Sequence, residues 1–341
     1  MSNIDELEIY DRIIFPKTLE IPKRSRLYFL EPIGVGTPYT ESLSSYLTRI
    51  AQEHCVTPKK LIMGEIAPLI IGDNYQPEIL SKNISTIFGN SDAKPAINGM
   101  RDMTRSLVEA LEKLTLRQDL KFLSCLTWEG IIKDRGLFRQ NKAWCPQCFE
   151  QWRQEKKPIY EPLLWSFKDV NFCPQHHCQL KDRCPHCNSS LKAIANSSRL
   201  GFCPRCKSWL GSEQVNKQAL LIDDFKKDCQ KITGIGDLIA VTSLLDVPPT
   251  LSNLMRKLQL IHLCFERAAN KDLTQFIALG KIMEQLKITL TQYNDKPLNL
   301  VNLLIPVCHH SRISLAQFLS QDFQSLSTIL FSNLDIKYTV N

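Results

Sequence analysis

Apolar residues recur at helical spacing through most of the chain, and the first clear stripe is Leu43, Leu47 and Ile50, with Tyr46 beside it. Glu41, Ser45, Thr48, Arg49 and Gln52 fall between these positions and are expected to face solvent. The helix should end near His54. After a short turn, Thr57-Pro58 supplies an N-cap followed by proline at the first helical position, so a second helix is expected through Lys59, Lys60, Leu61 and Ile62. Helix, brief turn and capped helix together form the outline of a helix-turn-helix, a unit that can read a DNA groove or simply belong to a helical domain.

Upstream of this pair, residues 1–26 mix charges with Pro16 and Pro22 and read as an extended arm, with one helical turn near Ile9 to Ile14 and a short strand at Leu27 to Leu30. Downstream, residues 64–98 are interrupted by Gly64, Pro68, Gly72, Pro77, Gly89 and Pro95, which leaves room only for short helices. A stronger helix runs from about Met100 through Leu107, Leu111 and Leu114, and Phe122 to Ile132 is expected to pack on it. After Pro248-Pro249, Thr250 is a plausible cap for a stripe of Leu254, Leu258, Ile261 and Phe265. Further amphipathic segments cover Leu273 to Leu286, Leu298 to Leu304 and Leu315 to Leu330. Cys55, Cys125, Cys229, Cys264 and Cys308 sit in or beside apolar patterns, where a single cysteine is expected to be a small buried hydrophobe.

Composition narrows the class. A chain of 341 residues with 43% hydrophobic and 23% charged residues supports two or three globular domains. It has no apolar run long enough for a membrane span, and Asp5, Glu6, Glu8 and Asp11 stand where a secretory signal would be basic and then apolar. A soluble, intracellular (cytoplasmic) protein with no membrane partner is the expectation. The formal charge of +7 is concentrated: residues 133–210 hold fourteen Lys and Arg against six Asp and Glu. Such a surface suits phosphate or an acidic protein face.

The same region carries the chemistry. Eight metal-competent residues form four pairs of one spacing: Cys145 and Cys148, Cys173 and His176, Cys184 and Cys187, Cys203 and Cys206. Pro146, Pro174, Pro185 and Pro204 directly follow the first member of each pair and preset a tight turn that brings two donors onto one ion. Even spacing in a reducing compartment favours metal-bound thiolates over disulfides. Two structural Zn2+ ions are therefore expected, with sequential pairing preferred: Cys145, Cys148, Cys173 and His176 on one, Cys184, Cys187, Cys203 and Cys206 on the other. Interleaved pairing remains an alternative, as do His177 or Cys178 in place of His176. Four protein donors per ion close the shell, which marks a structural site with no open position for a substrate. The loop of 24 residues between Cys148 and Cys173 is rich in aromatics, Trp152, Tyr160 and Trp165 among them, expected to fill the small core of the module.

These readings give a mainly α, multidomain chain: an extended arm over 1–36, a helical domain with the helix-turn-helix over 37–140, a tandem zinc-finger module of ribbon or knuckle type over 141–212, and a C-terminal helical domain over 213–341. Lys59, Lys60, Arg183, Arg199, Arg205 and Lys207 are the candidate contacts to nucleic acid or an acidic partner.

The order Glu41-Ser42-Leu43, Tyr46-Leu47, Arg49-Ile50-Ala51, Trp144-Cys145-Pro146-x-Cys148, Cys173-Pro174-x-His176 with Leu180, and then the two Cys-Pro-x-Cys pairs at Cys184 and Cys203 resembles the TniQ/TnsD family of transposon target-selection proteins. The resemblance implies a non-catalytic adaptor in DNA transposition, one that links a target-bound RNA-guided CRISPR effector complex (guide RNA and protein) to an AAA+ transposition ATPase. The alternative it implies is a sequence-specific protein that reads attachment-site DNA directly; homodimerisation is a further possibility. The chain is longer than the minimal members and shorter than typical attachment-site readers, which leaves its C-terminal helices without a motif match. An enzyme is disfavoured: the metal shells are closed, no Gly-x-x-x-x-Gly-Lys-Ser/Thr loop is present, and Asp223 and Asp224 have no placed partner.

Overall fold

The computed structural model describes residues 24–74, 97–213, 222–245, 247, 249–269, 273–291 and 296–334, with the backbone alone described at 74, 222–227, 268–269 and 273–279. The turn expected at Ile9 to Ile14, the middle of the Gly- and Pro-rich stretch and the side chains of Asp223 and Asp224 lie outside these.

The fold is helical, and among the described residues β-structure is limited to isolated bridges. Helix α1 (Leu43–Glu53) opens at Ser42, whose Oγ accepts from the Ser45 N–H at 3.3 Å. After His54-Cys55-Val56, α2 (Pro58–Leu61) begins at Thr57, whose hydroxyl accepts from the Lys60 N–H. The helix then widens into a π turn over Ile62–Ile66 and returns to α geometry in α3 (Ala67–Ile71). The cause is Pro68, which has no N–H for the helical ladder and crowds the preceding turn. A second π turn, Leu300–Leu304, precedes Pro306 in α9 (Ile305–His310) in the same way.

Helix α4 (Asp102–Thr115) lies where the leucine stripe placed it and buries Leu107, Leu111 and Leu114 against α1 to α3. The strand expected at Leu27 to Leu30 is absent. The Arg26 and Leu27 N–H groups both donate to the Leu114 carbonyl at 2.9 Å, so this segment satisfies the end of α4, burying Leu27 and leaving Tyr28 and Phe29 exposed.

Four residues expected to face solvent are buried: Glu41, Ser45, Thr48 and Arg49. Helix α1 is covered on both sides, by the N-terminal apolar core and by the segment around Glu161, which donates to Ser45 Oγ at 3.0 Å and accepts from the Ser42 N–H at 2.9 Å. The Arg49 guanidinium bonds both oxygens of Glu41, at 3.0 and 2.6 Å, and the Glu31 carbonyl at 2.7 Å. Ser45 Oγ donates a third bond to Glu41 at 2.9 Å, and the Ile33 N–H a fourth at 3.3 Å. A second buried pair, Lys142 with Glu161 at 2.6 Å, lies beside it.

Downstream of the cysteine region come α6 (Ile222–Thr242), α7 (Leu251–Ala269), α8 (Leu273–Thr291), α9, α10 (Leu315–Ser320) and α11 (Phe323–Asn333); α5 belongs to the cysteine region and is placed below. Their apolar faces share one continuous core with Trp144, Phe149, Trp152 and Trp165. Helix α6 has no counterpart among the sequence expectations, because Gly234 and Gly236 weaken its periodic signal. Both glycines are contact points: a Cβ at Gly234 would meet Ile305 Cγ1 at 2.6 Å, and one at Gly236 would meet Pro38 Cβ at 3.1 Å. Thr250 caps α7 through the Asn253 N–H, as its position suggested.

The segment Leu315 to Leu330 is two helices. Gln321 is extended, and Asp322 starts α11 by accepting from the Ser325 N–H at 2.8 Å. The buried Lys257 ammonium donates to the Phe318 and Leu319 carbonyls at 2.8 and 3.1 Å, closing the end of α10, while burial pushes its pKa down. Cys125, Cys264 and Cys308 are buried as expected; Cys55 is exposed in the turn after α1 with φ of 54°. Among the described residues no helix is long and apolar enough to cross a membrane.

Candidate metal centres and the basic face beside them

The four pairs use two kinds of turn. Cys145 is the N-cap of α5 (Pro146–Gln154), its Sγ accepting from the Cys148 N–H at 3.4 Å, with Pro146 at the first helical position. The other three share one backbone pattern. In each, the first cysteine's N–H donates to the carbonyl five residues on: Cys173 to Cys178 at 2.8 Å, Cys184 to Ser189 at 3.0 Å, Cys203 to Ser208 at 2.9 Å. Its carbonyl accepts from the fourth residue on, which takes the left-handed conformation: His177 at φ 50°, Asn188 at 53°, Lys207 at 63°. His177 therefore occupies the corner of its turn, and the donor is His176.

The side chains gather in sequential order. The donor atoms of Cys145, Cys148, Cys173 and His176 lie within 4.8 Å of one another, as do those of Cys184, Cys187, Cys203 and Cys206. In the first group Cys148 Sγ is 3.6 Å from Cys173 Sγ, and His176 Nδ1 is 3.6, 3.2 and 3.7 Å from the sulfurs of Cys145, Cys148 and Cys173. In the second, Cys184 and Cys206 are 3.6 Å apart and Cys187 and Cys203 3.8 Å. A tetrahedral ion with bonds of zinc length has edges of about 3.8 Å between sulfurs and about 3.5 Å between sulfur and nitrogen. Both groups fit such an ion.

The proton on His176 is placed to suit that fit. Gln151, three residues beyond Cys148 on α5, donates its amide to Glu155 Oε1 at 2.8 Å, leaving its oxygen to accept from His176 Nε2 at 3.0 Å. The imidazole thus carries its proton on Nε2 and turns the Nδ1 lone pair to the three sulfurs. Gln151 and Glu155 were not singled out from sequence; their helical spacing after Cys148 was the available signal. In the second group, hydrogen bonds from Ser208 hold the Cys206 thiol down at about 6 and Ser189 lowers that of Cys187, while burial pushes the Cys184 thiol up to about 12.

The two groups differ in burial. Cys145, Cys148 and Cys173 are fully buried, whereas Cys187 is half-buried and Cys206 exposed. A chain of aromatic contacts joins the units: Trp152 stacks on Tyr160 at 4.6 Å, Phe149 meets Trp165 at 5.7 Å and Trp209 at 6.1 Å, and Trp209 meets Phe202 at 5.1 Å. Trp209 is held between Gly201 and Gly211; a Cβ at Gly201 would lie 2.2 Å from its ring, and Gly201 has φ of 77°. Gly201→Ala is accordingly expected to destabilise the second unit by roughly 2–4 kcal/mol, combining left-handed strain with overpacking. Chemical denaturation followed by tryptophan fluorescence measures it, and a change below about 1 kcal/mol would contradict the contact.

Residues 32–180 match the family model described as TniQ. The chain carries a TniQ domain. The matched residues include the buried Glu41–Arg49 pair and the first four-donor group; the second group and the C-terminal helices lie beyond them. A TniQ domain marks a protein of transposition target selection, in a family of non-catalytic adaptors. No curated protein matches the chain.

The TniQ domain and the second cysteine unit are directly joined. The Leu200 N–H donates to Gln52 Oε1 at 2.8 Å, the Lys59 N–H donates to the Asn196 carbonyl, and Ile194 is buried in the N-terminal core. Between them lies a cleft of about 460 Å³ lined by Gln52, Thr57, Lys60, Ser197 and Arg199 among others. Lys207 belongs to the same side, bonding Ser197 Oγ at 2.8 Å, while Arg199 lies over the Phe202 ring. Arg183 and Arg205 form a separate pair on the turn at Asn188 and Ser189. Lys59 is half-buried at the junction. Among the described residues none of these six cations is in a salt bridge.

Proposed function

We propose that this TniQ-family protein is a non-catalytic target-selection adaptor, linking a target-bound RNA-guided CRISPR effector complex to an AAA+ transposition regulator in the bacterial cytoplasm. The family match carries the reading, and the two closed four-donor groups support it, since each suits a structural Zn2+ whose shell is filled by protein. The ions hold the turns that present the basic side chains. Reconstitution tests it: the zinc-loaded protein should co-purify with both the effector complex and the ATPase, and transposition should fail without it. Retention of neither partner would sink the adaptor role.

A second reading, direct recognition of attachment-site DNA through the helix-turn-helix formed by α1 and α2, is favoured by one observation. Lys60 and Arg199 line a single cleft with no acidic side chain among its lining residues, and Lys207 bonds Ser197, another of them. Lys60→Glu combined with Arg199→Glu is expected to weaken binding to nucleic acid at least tenfold and to lower the salt dependence of log K by about two contacts. Electrophoretic shifts across a salt series, with a short duplex and an RNA of equal length, read the effect and separate the two sources. Unchanged affinity would remove the cleft from either reading. Tight, competitor-resistant binding to one duplex would favour direct recognition over the adaptor.

A further inference from the structure

A fifth metal-competent side chain stands beside the four gathered at the first centre. Cys178 Sγ lies 3.4 Å from Cys145 Sγ, one of those four. The shared backbone pattern shows what is unusual about it. Cys178 stands where Ser189 and Ser208 stand in the other two turns, and those serines place their hydroxyls 3.4 Å from the second cysteine of their own turn. Cys178 instead reaches across to Cys145, which the other half of the site contributes. A hydroxyl at this position can only support a ligand; a thiolate can replace one, and zinc binds thiolate well.

We propose that Cys178 is a reserve ligand of the first centre: Cys145, Cys148 and Cys173 hold the ion throughout, and His176 and Cys178 alternate in the fourth place. The exchange is balanced without a redox partner. The Cys178 thiol gives up its proton as its sulfur bonds the ion, and the bond from the ion to His176 Nδ1 breaks; the freed Nδ1 or solvent takes the proton. The ion and its donors pass from a net charge of −1 to −2. His176 keeps its place through the bond to Gln151, so return requires no rebuilding of the turn. The half-exposed position of Cys178 lets solvent reach the exchanging thiol, while the three constant cysteines are fully buried.

The inference rests on the metal reading above, and the test separates the two. Full-length protein, wild-type and His176→Gln, is loaded with Zn2+ or Co2+ and examined for metal content, for the optical spectrum of the cobalt form and for alkylation of Cys178 by iodoacetamide. The variant should keep two ions per chain, with affinity at the first centre lowered by no more than about tenfold. Its sulfur-to-cobalt charge-transfer band should grow to that of four thiolates, and Cys178, readily alkylated in the wild type, should become protected. His176→Gln combined with Cys178→Ser should lose one ion. A His176→Gln protein with a single ion, or with Cys178 as reactive as in the wild type, overturns the proposal; a wild type that binds no metal overturns the metal reading itself. Should His176→Gln fail to fold, Cys178→Ser alone is expected to speed zinc release to a chelator severalfold, and an unchanged rate counts against the reserve role.

Discussion

Cys148→Ser is expected to release one of two metal ions per chain and to collapse the tertiary structure of the region around residues 144–180. Cys148 is fully buried and its sulfur is within 3.6 Å of both Cys173 Sγ and His176 Nδ1. Structural zinc in small modules contributes about 10–16 kcal/mol, comparable with the whole stability of a domain at about 5–15 kcal/mol. Without the ion, two buried thiols, the new hydroxyl and an imidazole keep their positions only through turns that cannot bear that load. Trp144 and Trp165, both buried in the core continuous with this centre, report the loss through near-ultraviolet circular dichroism. Metal analysis of the variant should give one ion, and chelation of the wild type should reproduce the spectrum. Two ions and a native spectrum would refute the structural role.

Arg49→Met is expected to destabilise the protein by about 3–5 kcal/mol, because it leaves the Glu41 carboxylate buried without its charge partner. Glu41 is fully buried and receives two bonds from Arg49 and one from Ser45. Removing the guanidinium leaves hydroxyl and amide donors to stabilise a full charge in a low-dielectric interior. Adding Glu41→Gln to Arg49→Met should recover much of the loss, since the orphan charge is then gone. Urea unfolding of both variants checks the pair. A single-variant effect below about 1 kcal/mol would mean that water reaches Glu41. The position matters beyond stability, because this pair and the Lys142–Glu161 pair lie where α1 meets the segment leading out of α5.

Much of the organisation was legible because it is local. Proline directly after the first cysteine, a fixed spacing to the second donor and a short inner loop define a metal turn wherever they occur, and the backbone bonds repeat accordingly at Cys173, Cys184 and Cys203. Thr57 and Thr250 cap helices for the same reason: the bond runs to an N–H three residues away. The leucine stripe of α4 likewise followed from a single helix needing one covered face.

Where local rules misled, a distant segment had intervened. The polar face of α1 read as solvent-facing because Glu41, Ser45 and Arg49 are hydrophilic, yet each finds its partner within the cluster that Glu161 closes from more than a hundred residues away. Helix α6 was not foreseen, and at Gly234 and Gly236 close approach to Ile305 and Pro38 makes the missing side chains an asset.

The sequence alone thus determined the helices with strong periodicity, the eight cysteine and histidine positions that gather into two groups, and the TniQ domain, since each depends on spacing along the chain. The tertiary structure alone decided which charges are buried in pairs, that Lys60 and Arg199 share a cleft while Arg183 and Arg205 do not, and that Cys178 stands beside Cys145. Those facts depend on which surfaces meet, and side chains far apart in sequence come within bonding distance only once the cores of the two regions have formed.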